Sequence, residues 1–415
     1  MQYLDMIQKQ PAHKTALITE TAIYTYGELW REAMNIRTTI SPDEAVHYIN
    51  STTIADQLCQ FLAYSGSHDV PVMATAVSML QKPSPLVEVP SEACMGVMTS
   101  GSTGPSKILW RDVASWADFF PIQNHIFGIT EQTILLCQGS LAFTGNLNLY
   151  LSVLSVGGTI VGIDSFRPKT WLSYIETYQV NAIYLIPAKL FLLPQIAHHQ
   201  YMTVHHIISG SQAMGKQQAQ WVQQIFPQSE VILYYGASEL NYITYIKDAD
   251  MTEDRSVVGK PFPGVDVTID RQTQDIVVMT PYHVLHVSVP MSLHDRGYID
   301  AKGNLHFLGR RGDICNINGK HISLYRIEQT MCEHVPIREV AVLVQHHGHA
   351  DVLTAVVSGA SVPITRTMLW KRLRPYLQDD EIPKVCISID RLPKNESGKI
   401  DRQALKKYIS AIGMT

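Results

Sequence analysis

No stretch of this chain is both long and apolar enough to span a bilayer, and Met1 to Gln10 lacks the apolar centre of a secretory leader. That leaves an expectation of a cytoplasmic protein without a transmembrane segment. Cysteine is scarce and dispersed: Cys59, Cys94, Cys137, Cys315, Cys332 and Cys386 include no C-x-x-C pair, which speaks against a disulfide framework or a zinc knuckle and for reduced, buried thiols. Charge of one sign is also missing. A formal net charge of −4, with no basic run interleaved with aromatics, excludes a general nucleic-acid binder and favours small-molecule chemistry. With 415 residues, 46% of them hydrophobic, the chain can bury a large core and form two or more domains.

What is present in unusual density is a nine-residue segment, Thr99-Ser100-Gly101-Ser102-Thr103-Gly104-Pro105-Ser106-Lys107, directly after the strand candidate Met95 to Met98. Its hydroxyls can donate hydrogen bonds to an anion, its glycines let backbone amides approach, and Lys107 supplies charge: the chemistry of a phosphate cradle. A Walker loop requires glycine before the lysine and a hydroxyl after it, but Ser106 and Ile108 stand there, and no G-x-G-x-x-G fingerprint is present. A second motif, Tyr234-Tyr235-Gly236-Ala237-Ser238-Glu239, follows the apolar Val231-Ile232-Leu233. An aromatic face can stack on a purine, Gly236 permits close approach, Ser238 can reach a phosphate and the Glu239 carboxylate can hold magnesium. Strand candidate Ile207 to Ser209 ends at Gly210, a small-residue turn where an adenine edge could meet backbone.

These motifs, in this order, resemble those of the adenylate-forming superfamily, which includes acyl- and aryl-CoA synthetases, peptide-synthetase adenylation domains and luciferases. The phosphate loop differs from the usual pattern in the exchanged order of Pro105 and Ser106. Asp295-Arg296-Gly297-Tyr298 and Gly309-Arg310 are similar to the family's ribose-binding aspartate and its closing arginine, although Leu293-His294 replace the usual threonine-glycine. Pro393-Lys394-Asn395-Glu396-Ser397-Gly398-Lys399 resembles the segment whose lysine, here Lys399, contacts the carboxylate and the α-phosphate. The resemblance implies that Thr99, Ser100, Gly101, Ser102, Thr103, Gly104, Lys107, Gly210, Tyr235, Gly236, Ser238, Asp295 and Arg310 bind nucleotide. It assigns catalysis to Thr103, Glu239 and Lys399, magnesium to Glu239, and the tunnel for coenzyme A to Gly319.

The implied activity joins a small-molecule carboxylic acid to coenzyme A at the expense of ATP, with magnesium, releasing AMP and pyrophosphate. Two other readings stay open: a carrier-protein phosphopantetheine as acceptor, and a nucleotide-binding paralogue without turnover. A homodimer is compatible with either. In the segment Leu141 to Asn146, Thr144 stands where amino-acid-activating relatives place an aspartate, so an acid with an uncharged chain, acyl or aryl, is expected rather than an amino acid.

Apolar runs alternate with helical segments from Ile134 to Leu193, which predicts an α/β fold: a large N-terminal domain, residues 1–311, of mostly parallel sheet flanked by helices. The region between the helix near Trp30 to Ile36 and the phosphate loop is shorter than in the family, with Gln81 to Pro90 as a linker. Residues 312–415 form the expected small, mobile α+β lid, turning about Gly312, with a hairpin near Asp313 to Gly319. The histidine-rich Gln345 to Asp351 is expected to be a hairpin tip rather than a metal site.

Overall fold

In a computed structural model, residues 3–40, 45–65, 67–75, 79, 88–98, 107–310, 314–317, 320–347, 350–360, 362–394 and 400–411 are described. Two compact units emerge: Met1–Thr268 with Val277–Met291 and Ile299–Leu305, and Ile269–Ile276 with Ser292–Tyr298 and His306–Thr415.

After a short helix, Tyr3–Gln8, the first unit has strands β1 (Thr15–Ile18) and β2 (Ile23–Thr25), an antiparallel pair, followed by the helix Tyr26–Thr38. Thr25 starts that helix with a capping box: its hydroxyl accepts from the Glu28 amide at 3.2 Å and the Glu28 carboxylate accepts from the Thr25 amide at 2.8 Å. A smaller sheet follows, with β3 (Val46–Ile49), β4 (Val70–Met73), β5 (Met95–Met98) and β6 (Ile108–Arg111) in sequence order. β3, β4 and β5 are parallel, and β6 returns antiparallel to β5. The residues expected to form the phosphate loop, 99–106, connect β5 to β6 and lie outside the described residues; so does most of the expected linker, 81–87.

The larger sheet is built from β7 (Ile134–Gln138), β8 (Thr159–Ile163), β9 (Ala182–Tyr184), β10 (His206–Gly210), β11 (Glu230–Ala237), β12 (Asn241–Lys247) and β13 (Val257–Pro261). Its spatial order is β13-β12-β11-β10-β9-β7-β8-β1-β2. From β1 through β8, β7, β9 and β10 to β11 every pairing is parallel, and β12 and β13 add antiparallel strands at one side. Such strands are covered on both faces and read as continuous apolar runs: every residue of β8 is buried, and Leu135, Leu136, Ile183, Ile207 and Val231 are fully enclosed. The helix Thr144–Ser155 is apolar nearly all round, with Leu147, Leu149, Tyr150, Leu151, Val153 and Leu154 buried. Some of its buried polar atoms are paired: Ser152 Oγ donates to Asn124 Oδ1 at 2.5 Å, and Tyr242 OH donates to Asn148 Oδ1 at 3.1 Å.

Strands β14 (Asp266–Ile269), β15 (Asp275–Met279), β16 (Met291–Ile299) and β17 (Leu305–Arg310) lie side by side in that order, each divided between the two units. The second unit continues with the antiparallel hairpin β18 (Ile314–Ile317) and β19 (Lys320–Ser323). Its own sheet comprises β20 (Glu339–His347), β21 (Ala350–Ser358) and β22 (Val385–Ser388), the first pair antiparallel and the second parallel. Period-two alternation separates two cores. Val340, Val342 and Val357 pack with Ile327, Met331, Leu369 and Leu373, while Ala341, Leu343 and Val356 pack with Leu405 and Ile409. Arg402 locks the terminal helix by donating from Nη2 to both Glu328 oxygens, at 2.7 and 2.8 Å, and from Nη1 to the Val342 carbonyl at 2.9 Å. The histidine-rich strand ends are paired through His347 and Ala350, and residues 348–349 at the tip lie outside the described residues, as does Gly312.

Among the described residues no helix is long and apolar enough to cross a membrane. Burial pushes the thiols of Cys59, Cys94 and Cys137 up from 9.0 to about 12. A group whose pKa is higher folded than unfolded favours the fold fully below its unfolded value and loses that contribution as pH rises through the folded one. The urea midpoint should therefore fall progressively between about pH 9 and pH 12. Cys137→Ala should flatten that slope, and an identical slope in the variant would contradict the assignment.

Candidate active site

In an open parallel sheet, ligands bind outside the carboxyl ends of the strands, at the point where the strand order reverses. Here β8 follows β7 on one side, whereas β9, β10 and β11 are laid down on the other, so the reversal falls between β7 and β9. The carboxyl ends of β7, β9, β10 and β11 then bring together Gln138-Gly139, the residues after Tyr184, Gly210, and Tyr235-Gly236.

At that edge the register pairs Gly210 with Tyr234. Glycine is required at 210, since a Cβ there would meet the Tyr234 ring at 2.4 Å. The Tyr234 hydroxyl is 2.6 Å from that of Tyr184, and both face Gly145, where a Cβ would lie 2.1 Å from the Tyr184 oxygen. Between Tyr235 and Gly236 the β11–β12 register slips, and a Cβ on Gly236 would meet the Asn241 carbonyl at 2.6 Å. This bulge turns Ser238 and Glu239 out of the ladder. Tyr235, Ser238 and Glu239 are all half-buried, Ser238 Oγ lies 3.2 Å from Thr144 Oγ1, and the Glu239 carbonyl accepts from the Val284 amide at 2.8 Å.

The motif reading missed the residue that holds this turn. Arg111, the last residue of β6, is 1% exposed and donates from Nη2 to the Ser238 carbonyl at 2.7 Å and from Nη1 to the Tyr282 carbonyl at 3.1 Å. Its guanidinium also stands 5.2 Å from the Trp116 ring centre. Burial pulls the guanidinium down to about 10, against the opposing pull of Tyr3, Asp112 and Glu239, so it stays charged near neutrality. The available signal was an arginine in the otherwise apolar run Ile108-Leu109-Trp110. Lys107, exposed, immediately precedes β6; thus the strand leaving the expected phosphate loop is clamped to the turn carrying Glu239.

In the second unit, Asp295 on β16 and Arg310 on β17 are joined directly, Arg310 Nε donating to Asp295 Oδ1 at 3.1 Å. The carboxylate is 3% exposed and the guanidinium 64%, so a buried acceptor sits beneath a solvent-facing cation. His294 has φ +58°, the left-handed region, and its ring lies 3.6 Å from Asp275 Oδ2. That backbone accounts for the glycine usual in the family at this position, since histidine adopts it only at a cost in strain. Thr99, Ser100, Gly101, Ser102, Thr103, Gly104, Gly319 and Lys399 lie outside the described residues.

No group of three or more His, Cys, Asp or Glu among the described residues could hold a metal by itself. A single carboxylate at Glu239 still fits magnesium, which keeps waters and takes most of its ligands from substrate phosphates.

The family model described as AMP-binding enzyme matches residues 39–280, more than half of the chain. The chain belongs to the AMP-binding enzyme family. It is 26% identical over 358 residues to an uncharacterized acyl–CoA ligase of Bacillus subtilis (strain 168), covering 81% of this chain and 73% of that protein. The AMP-binding fold is shared with O-succinylbenzoate coenzyme A synthetase from Bacillus subtilis, in complex with ATP and magnesium ion. The TM-score is 0.84 at 19% identity, over 98% of this chain and 99% of that one. ATP-bound MatB from Rhodopseudomonas palustris matches with a TM-score of 0.84 at 19% identity, over 99% of both chains. These likenesses show the fold, a mixed α/β architecture with a large sheet flanked by helices.

Replacing Arg111 by Met should leave the half-buried Ser238 and Tyr282 carbonyls without this donor and cost about 2–4 kcal/mol, measured by urea unfolding. A loss below about 0.5 kcal/mol would show that Arg111 does not hold the turn. At His294, substitution by Val should destabilise by about 1–2 kcal/mol, because a β-branched residue tolerates this backbone least.

Proposed function

We propose that this AMP-binding enzyme is an ATP-dependent carboxylate–CoA ligase. The observation that carries the reading is the Arg111 clamp, which joins β6 of the smaller sheet, the strand that follows the Thr99–Lys107 segment in sequence, to the Tyr235–Glu239 turn of the larger sheet. Relatives named acyl–CoA ligase support it.

In this reading Thr99, Ser100, Gly101, Ser102, Thr103, Gly104 and Lys107 bind the phosphates, Tyr235 stacks on the purine beside Gly210, and Asp295 with Arg310 receives the ribose hydroxyls. Ser238 donates toward phosphate and Gly236 leaves room for the nucleotide. Magnesium held by Glu239 would offset phosphate charge. Lys399 brings the acid carboxylate against the α-phosphate: a carboxylate oxygen attacks phosphorus, the bond to the bridging oxygen breaks, and pyrophosphate leaves with that electron pair. The thiolate of coenzyme A, entering past Gly319, then attacks the acyl carbonyl, and AMP leaves. Residues 1–311 serve as the ATP- and acid-binding domain and 312–415 as the lid.

Lys399→Ala should lower carboxylate-dependent ATP–pyrophosphate exchange by on the order of 100-fold or more, with circular dichroism and urea midpoint unchanged. Undiminished exchange would overturn the ligase assignment. AMP release with coenzyme A, but not with a phosphopantetheinylated carrier protein, is the expected outcome for the acceptor.

A further inference from the structure

The crevice between β7 and β9 contains a cation that the reaction above leaves without a task. Lys189 lies in the short helix Pro187–Leu190 that follows β9, and its ammonium donates to the Gln138 carbonyl at 3.3 Å, at the end of β7. That neutral acceptor is its hydrogen-bond partner among the described residues, where no carboxylate forms an ion pair with it. The titratable group nearest in influence is Cys137, whose thiol burial holds at about 12 and therefore neutral near pH 7. Burial lowers the affinity of Lys189 for its proton, the mark of a charge removed from water without a counter-ion.

A second donor converges on the same place. Gly139, with φ +108°, leaves open the space where a side chain would begin: a Cβ there would lie 3.5 Å from Lys189 Nζ and 3.6 Å from Asn146 Nδ2. Asn146 is 4% exposed, and its amide donates to the Gly139 and Ser140 carbonyls at 3.0 Å, which fixes its orientation. Just before it on the same helix, Gly145 is covered by the Tyr184–Tyr234 hydroxyl pair and Thr144 meets Ser238. The start of this helix thus places a neutral hydroxyl pair, Thr144 with Ser238, two residues before the amide that faces the Lys189 ammonium across Gly139.

We infer that Lys189 determines substrate specificity by receiving a second carboxylate at the far end of the acid, so that the substrate class is a dicarboxylic acid activated at one end. This rests on the ligase reading and sharpens it. The expectation of an uncharged chain drew on Thr144, which removes a counter-ion for an ammonium; Lys189 supplies one for a carboxylate. Pairing offsets the desolvation of both charges, whereas an alkyl end would leave the ammonium unpaired.

The test uses acids of matched length, butyrate against succinate and hexanoate against adipate, in ATP–pyrophosphate exchange with the full chain. The wild type should favour the diacid in kcat/KM by on the order of 100-fold, chiefly through KM, because a remote contact acts equally in ground and transition states. Lys189→Met should collapse that ratio to near unity, and Lys189→Arg should keep part of it. A preference for the monoacid, or a ratio unchanged in Lys189→Met, overturns the inference; a parallel loss for both acids with a lowered urea midpoint assigns Lys189 a structural role and overturns it too. Thermal protection separates this from the ligase reading. If no acid supports exchange yet succinate raises the Tm of the wild type and not of Lys189→Met, the ligase reading falls and the dicarboxylate site stands. If protection is also absent, both fall.

Discussion

Parallel pairing from β1 through β8, β7, β9 and β10 to β11 is the constraint on which the remaining structure depends. Parallel strands require crossovers on the faces of the sheet, so both faces are covered and the strands must be apolar throughout. Chemistry is thereby confined to the strand ends. The reversal of strand order between β7 and β9 opens one crevice at the carboxyl edge, and the residues with reactive or binding potential in the first unit gather around it: Gly210, Tyr235, Gly236, Ser238, Glu239, Thr144 and Lys189. Where antiparallel strands β12 and β13 extend the sheet, a bulge at Gly236 rather than a crossover turns the chain outward.

Buried charge is managed differently at the separate sites. Arg111 is enclosed and held by two carbonyls and an aromatic face, so its guanidinium serves as an internal brace between β6 and the Glu239 turn. Asp295 is enclosed and paired with an arginine that faces solvent, which leaves the pair open to a partner from outside. Lys189 is half-buried and, among the described residues, donates to a neutral carbonyl with no carboxylate paired to it. The differences lie in counter-ion and exposure rather than in residue type.

Much of this was legible along the chain. Runs such as Ile134 to Cys137 and Thr159 to Ile163 announce buried parallel strands, because a strand covered on both faces has no polar alternation. The Tyr234 to Glu239 segment stands out because an aromatic, a glycine, a hydroxyl and a carboxylate occur together after an apolar strand. Arg111, Tyr184 and Lys189 gave no comparable sign. Each acts through a neighbour distant in sequence, Ser238, Tyr234 and Gln138 respectively, and no local pattern encodes a contact that exists only after strands have paired. His294 lay between these cases: the departure from glycine was visible, but its meaning came from a φ of +58°.

By itself the sequence determined the class of fold, the order of the motifs and the family they indicate, because strand-helix alternation and motif composition are local properties carried by neighbouring residues. Tertiary structure alone decided which strand ends meet, where the crevice opens, which arginine braces the turn and which lysine, among the described residues, meets a carbonyl rather than a carboxylate. The physical reason is that burial and electrostatic pairing depend on distances across the fold, and hundreds of alternative pairings of the same segments would leave the local sequence pattern unchanged.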